Sequence, residues 1–343
     1  MVGCYLLLFD APTFSWLDDT PRAFFEPPLI SLPYLVGGFL PSPTFAMLDI
    51  IAIAAIVTMT IGYRTRASTA VVLITRLVST SFAYSLGKIS HQIALTALLA
   101  CMLVADWGQR GDAAVDDADA SSRASTRTIQ GVSLLAFLIA FGFITAGFDK
   151  AREWINVDMT QSGILSWYYP NIYSRGLGTE LFGSVVPHVP LELLKVADAG
   201  AALVEVTGLL ALLFSRRVWQ GWLLVVTLLH LSNALFLNIT FATQVVVYLA
   251  FVDLSVLRVD RLTRLRPFVI AAVVSIGAYH AVTRITGPAS GFFLVSGRDA
   301  TFVYDLYVCM IICVAVGLLL ASSLIRGLRS RGARVEVRDV EFV

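Results

Sequence analysis

The sequence predicts an all-α, polytopic transmembrane helical bundle of about nine spanning helices with no sizeable soluble domain, and three observations carry that prediction. Apolar residues make up 57% of the 343 and charged residues only 14%, with a mean hydropathy of +0.78, a composition that uses lipid as solvent. Nine apolar segments reach or approach the roughly 20 residues needed to cross a hydrocarbon core about 30 Å thick. Sixteen of the 25 Lys and Arg residues lie on one set of alternate connections between those segments.

Residues 1–43 read as an external segment. Cys4 to Phe9 (CYLLLF) is apolar but too short to span, and no basic residue precedes it. It reads either as the outer end of a truncated first helix, its first half missing, or as a short interfacial stretch. Asp10 to Pro43, with its prolines and FFEPPLISLPYLVGGFL, is an external stretch able to re-enter the membrane in part.

The membrane core occupies 44–257. Its spans are Phe45 to Tyr63, Thr69 to Leu86, His91 to Trp107, Ile129 to Phe148, Val196 to Phe214, Val218 to Leu237 and Ile239 to Leu257. The loop 108–128 is polar, acidic and Ala/Ser-rich, which predicts disorder. Two additional helices, Phe268 to Thr286 and Phe302 to Ile325, fill 258–325, and 326–343 is a basic tail. Runs such as LLAFLIAFGFITAGF lack the alternation that barrel strands need, and no repeat of 20 to 50 residues is visible.

Charge orients the chain. Arg64 and Arg66, Arg110, Arg123 and Arg127, Arg216 and Arg217, the four arginines from 258 to 266 and the five of the tail all fall on one side. The positive-inside rule makes that side cytoplasmic, so the reading is a multi-pass protein of the cell membrane with its C-terminus in the cytoplasm. A net charge of +1 gives no sign of a nucleic-acid partner. Cys4, Cys101, Cys309 and Cys313 form no CxxC, and a pair at i, i+4 on a helix does not readily close a disulfide, so all four read as packing residues.

Ionisable residues at membrane depth are costly and therefore mark functional sites. His91 opens the third span and Lys150 ends the fourth, both at the outer surface; His280 is near the outer end of the eighth, and His188 is in an outer loop. His230 lies about two turns below the outer end of the sixth span, with Thr227 and Asn233 on the same face. These groups can meet in one outward-facing pocket. Each also has a plainer reading. A lysine past a helix end snorkels to headgroups, a helix-end histidine bonds at the interface, and a polar stripe glues helices together. Trp154, Trp167, Tyr168, Tyr169 and Tyr173 read as an aromatic interface belt. Arg76 and Glu205 lie near mid-depth and are predicted to form a buried pair, while Asp198, closer to the surface, is available to the pocket. There is no HxxHH, HxxxH, HExxH, GxSxG or phosphate-binding glycine loop, and the histidine spacing supports no metal site.

The stretch AGFDKAREW (Ala146 to Trp154), the later HLSNALFLNITF and the earlier helix-opening histidine in GKISHQIALTALL resemble the HTTM (horizontally transferred transmembrane) domain, the membrane portion of vitamin K-dependent gamma-carboxylase. The resemblance covers about Phe24 to Leu257. It implies that Lys150 acts as the base toward a reduced quinone of menaquinol type, that His91 and His230 belong to the same active-site region, and that Asn233 and Trp154 line the quinol site. Its partners would be the lipid bilayer, a quinol and a secreted peptide substrate. Lys150 and Trp154 are one residue closer than in the carboxylase, and the large exoplasmic region that docks its peptide is missing, which argues against true gamma-carboxylation. Two classes of function follow: a carboxylase-like lyase or oxidoreductase, and a non-catalytic membrane factor for maturation, export or immunity of a secreted peptide. A transporter would need a polar pathway at the midplane, where the sequence offers Arg76 and Glu205.

Overall fold

The structure, a computed structural model, describes residues 1–86, 93–105, 118–156, 160–174, 181–252, 265–287, 292–293 and 298–340, with backbone only at 118–127, 173–174, 298–302 and 327–340. Among the described residues it is helical and has no strand. The α-helices are α1 (Val2–Phe9), α2 (Leu32–Val36), α3 (Thr44–Ile61), α4 (Thr65–Ala83), α5 (Ile93–Val104), α6 (Ala118–Trp154) and α7 (Gly163–Tyr169). They continue as α8 (Leu191–Val206), α9 (Gly208–Phe214), α10 (Arg216–Leu237), α11 (Ala242–Val247), α12 (Arg266–Thr286) and α13 (Arg298–Val340).

Among the described residues six helices are long and apolar enough to cross a membrane: α3, α4 with its 3₁₀ extension to Leu86, α6 from Thr128, α10, α12, and α13 from Val303 to Arg326. The fifth predicted span is a pair, α8 and α9, bent by 47°. The bend falls at Thr207, whose Oγ1 donates back to the carbonyls of Leu203 and Val204, a bond that loosens and bends a helix. Two predicted spans extend beyond the described residues: within them α5 covers Ile93–Val104, and α11 continues as a 3₁₀ turn to Phe251. Phe268, Val274, Val282 and Ile285 of α12 and Ile311, Val314 and Leu318 of α13 are exposed, as lipid-facing side chains are. The loop expected to be disordered differs from that reading over 118–128, which is the first part of α6. Its Ala, Arg and Ser residues tolerate helix well, and the helix has an apolar span to extend from.

The described residues form two compact units, 1–135 with 257–304 and 136–256 with 305–343. The last two predicted spans are thus divided between them.

In the first unit α3 and α4 are joined by a tight turn in which Gly62 (φ 83°) and Arg64 (φ 42°) adopt left-handed conformations. α12 and α1 pack on α3, and α5 packs on α4. Asp18 fixes the start of α3 by accepting from the amides of Phe45 and Ala46. Leu17, Phe45 and Phe82 form a sealed apolar cluster beside it. The CYLLLF segment lies in α1 and is buried in part. Leu6 and Leu7 are fully buried, and His280 of α12 shares a hydrogen bond of 2.7 Å with the Leu7 carbonyl.

The expected pair of Arg76 with Glu205 does not form. Arg76 instead donates from Nη2 to Asp10 at 3.3 Å. Arg284 donates from Nε and Nη2 to the Pro12 carbonyl and lies 3.8 Å from Asp49, which also accepts from the Ser15 amide. The non-helical stretch after α1 therefore enters the first unit and brings acceptors to both arginines, something that helix-by-helix counting cannot foresee.

In the second unit α10 packs on α8 and α9, and α7 packs on α8. Asp198 of α8 is fully buried and accepts from the amides of Gly163 and Ile164 at 2.8 and 2.9 Å. It is committed to holding the start of α7, not to a pocket, because those first-turn amides have no partner within their own helix.

Candidate functional site

The site is built around the end of α6 in the second unit. Lys150 lies three residues after Gly147 and four before Trp154, so the three share one helix face. Gly147 rests against the backbone of Glu205 and Val206, and this close approach brings α8 within reach of the lysine. Lys150 Nζ stands 2.5 Å from Glu205 Oε1, with the ring centroid of Trp154 5.3 Å from the ammonium. The lysine side chain is 29% exposed and the glutamate 8%, so the ammonium is the reachable end of the pair. Glu205 Oε2 is buried without a hydrogen-bond partner.

Two further contacts hold that geometry. The ring of Trp154 lies against Gly163, where a Cβ would overlap it. Lys195 of α8 donates to the Trp154 carbonyl and to Asn156 Oδ1 at 3.0 and 2.9 Å, capping the last turn of α6 with a positive charge. Trp154, expected to line a quinol site, thus forms the wall of Lys150 and the seat of α7.

His230 is also in the second unit and buried, 3% exposed. Its Nε2 is 3.1 Å from the Tyr248 hydroxyl, its ring stacks on Phe241 with centroids 4.3 Å apart, and Phe143 of α6 lies 5.9 Å away. Phe143 in turn meets the edge of Trp222, whose Nε1 donates to the Val204 carbonyl next to Glu205. The second unit therefore holds two polar pairs among aromatic rings, Lys150 with Glu205 and His230 with Tyr248. Tyr248 was not singled out in the sequence; it sits in the apolar run VVVYLAF, where a phenol looks like any aromatic residue.

The other expected members are placed elsewhere. His91 lies outside the described residues. Asn233 is half-buried, and its carbonyl accepts from the amides of Asn238 and Ile239 at the end of α10. His188 is exposed and its Nδ1 bonds the Ser184 carbonyl. His280 belongs to the first unit. Among the described residues no group of three or more His, Cys, Asp or Glu side chains is placed to hold a metal. The four cysteines are free, with Cys309 and Cys313 sulfurs 4.0 Å apart.

Comparison with protein-family models, with curated proteins and with solved structures finds no match.

Proposed function

We propose that the chain is a multi-pass membrane protein whose second unit carries a proton-transfer site, Lys150 with Glu205, serving a quinol-dependent modification of an exported peptide. The observation that carries this reading is a reachable ammonium 2.5 Å from a buried carboxylate. Moving one proton from Nζ to Oε1 converts ion pair into neutral amine and carboxylic acid without changing the net charge. A site in a low-dielectric medium can make that exchange without burying new charge. The neutral amine can then take a proton from a hydroxyl presented to it, while Glu205 keeps the first proton in reserve.

Trp154 restricts the direction from which a substrate meets Nζ, since its ring covers one side of the ammonium. Tyr248 and His230 form a second polar pair in the same unit, 3.1 Å apart. The donor set suits a reduced quinone, which would supply an acidic ring hydroxyl and reducing equivalents beside Lys150 and Trp154. The arginine distribution supports an outer-face position for this end of α6.

A second reading, a non-catalytic factor for maturation, export or immunity of a secreted peptide, is favoured by the sealing of His230 and Glu205 from solvent. The two are separated by titrating the protein in lipid nanodiscs with a reduced menaquinone analogue and following its oxidation under air. Wild type and Lys150→Arg should both bind saturably, while oxidation falls at least about 100-fold in the variant, since arginine keeps the charge but does not release its proton. No saturable binding by wild type would assign the non-catalytic role.

A further inference from the structure

In the first unit, α3 and α4 enclose a small cavity whose lining includes Asp49, Ala52, Thr75, Arg76 and Ser79. It plays no part in the site at Lys150. The cavity leaves about 10 Å³ of room for the centre of a water molecule, close to the least that holds one.

Two polar atoms of its lining residues lack a hydrogen bond. Asp49 is 1% exposed and Arg76 6%. Oδ2 of Asp49 accepts from the Ser15 amide at 2.8 Å, while Oδ1 is buried with no hydrogen-bond partner. Arg76 donates from Nη2 to Asp10, while its Nε is buried with no partner. One bare acceptor on α3 and one bare donor on α4 therefore belong to the same cavity. Buried polar groups are almost always satisfied, and leaving one unmade costs more than a typical hydrogen bond contributes.

Size and chemistry together define what fits. The room admits a single heavy atom. That atom must carry a hydrogen for Asp49 Oδ1 and a lone pair for the Arg76 Nε–H. A bare cation has no lone pair to offer the N–H, and a halide has no hydrogen to offer the carboxylate. Thr75 already donates to the carbonyls of Val71 and Val72, so its oxygen remains able to accept. The Ser79 hydroxyl can donate or accept. A water molecule would thus have two to four partners here, the number that buried waters ordinarily make.

We infer that this cavity is a binding site for one ordered water molecule, which bridges Asp49 of α3 and Arg76 of α4. It satisfies both buried atoms at once. It also gives the two helices a hydrogen-bonded link in addition to that between Thr58 and Ser68.

The test is a structure of the full-length protein in nanodiscs at a resolution that shows ordered water. The expected result is a peak about 2.5–3.2 Å from both Asp49 Oδ1 and Arg76 Nε. A resolved cavity without that peak, or Oδ1 bonded directly to Nε, overturns the assignment. A second measurement needs no water density. Ala52 lines the cavity and is 3% exposed, so Ala52→Thr and Ala52→Val place side chains of the same shape in it and displace the water. Only threonine leaves an oxygen in the water's place. Thermal unfolding should put Ala52→Val several degrees below Ala52→Thr, whereas a dry apolar cavity would favour valine. A melting temperature for Ala52→Val equal to or above that of Ala52→Thr also overturns the assignment.

Discussion

Gly147 and Glu205 meet backbone to backbone: a Cβ on Gly147 would lie 2.6 Å from the Glu205 Cβ and 2.9 Å from the Val206 nitrogen. One turn of α6 further on, the same approach places Lys150 Nζ on the Glu205 carboxylate. Gly147→Ala should therefore push α6 and α8 apart and cost about 1–3 kcal/mol. Gly142→Ala, where a Cβ meets nothing within 4 Å, should be neutral or slightly stabilising, since alanine favours helix. Thermal unfolding in detergent compares the two, and equal melting temperatures would refute the close-packing account.

Lys150→Met removes the partner of a carboxylate that is 8% exposed. An unpaired buried charge costs about 3–5 kcal/mol, whereas replacing both partners by apolar residues is often neutral. Lys150→Met should lower stability strongly and Lys150→Met with Glu205→Leu should recover most of it. A double variant as unstable as the single one would show that the pair is not the source of the loss.

Asp198→Asn replaces a carboxylate that accepts two amides by a side chain with one acceptor oxygen. The expected loss is about 1–3 kcal/mol. Hydrogen exchange at Gly163 and Ile164 should accelerate, while exchange in the first unit stays at its wild-type rate.

Tyr248→Phe removes the hydroxyl that meets His230 Nε2 and keeps the ring packing. Stability should fall by about 1 kcal/mol, and quinol binding at Lys150 should survive. An unchanged melting temperature would show that the hydroxyl adds nothing to the packing around His230.

Much of the second unit's site was legible from residue types and helical spacing. Lys150 and Trp154 were singled out together, and the stripe of Thr227 and His230 was recognised as polar on an apolar helix; the structure buries both. Glu205 and Arg76 were recognised as costly at mid-depth but paired with each other. Hydropathy records depth along one helix and carries no information about which neighbour turns toward it, so partner choice stayed open.

The sequence by itself determined the helical class and the apolar segments, because a membrane core demands continuous apolar helices and each segment meets that demand locally. It also determined that Lys150, Glu205, Arg76 and His230 would need partners. Only the tertiary structure decided who those partners are. Gly147 admits α8 to Lys150, Thr207 bends α8 from α9, and the stretch after α1 threads inward so that Asp10 and Pro12 meet Arg76 and Arg284. The pairings of Lys150, Arg76 and Arg284 join residues 55 to 272 positions apart. Such pairings depend on how whole helices pack, and helix faces of similar hydropathy do not distinguish one packing from another.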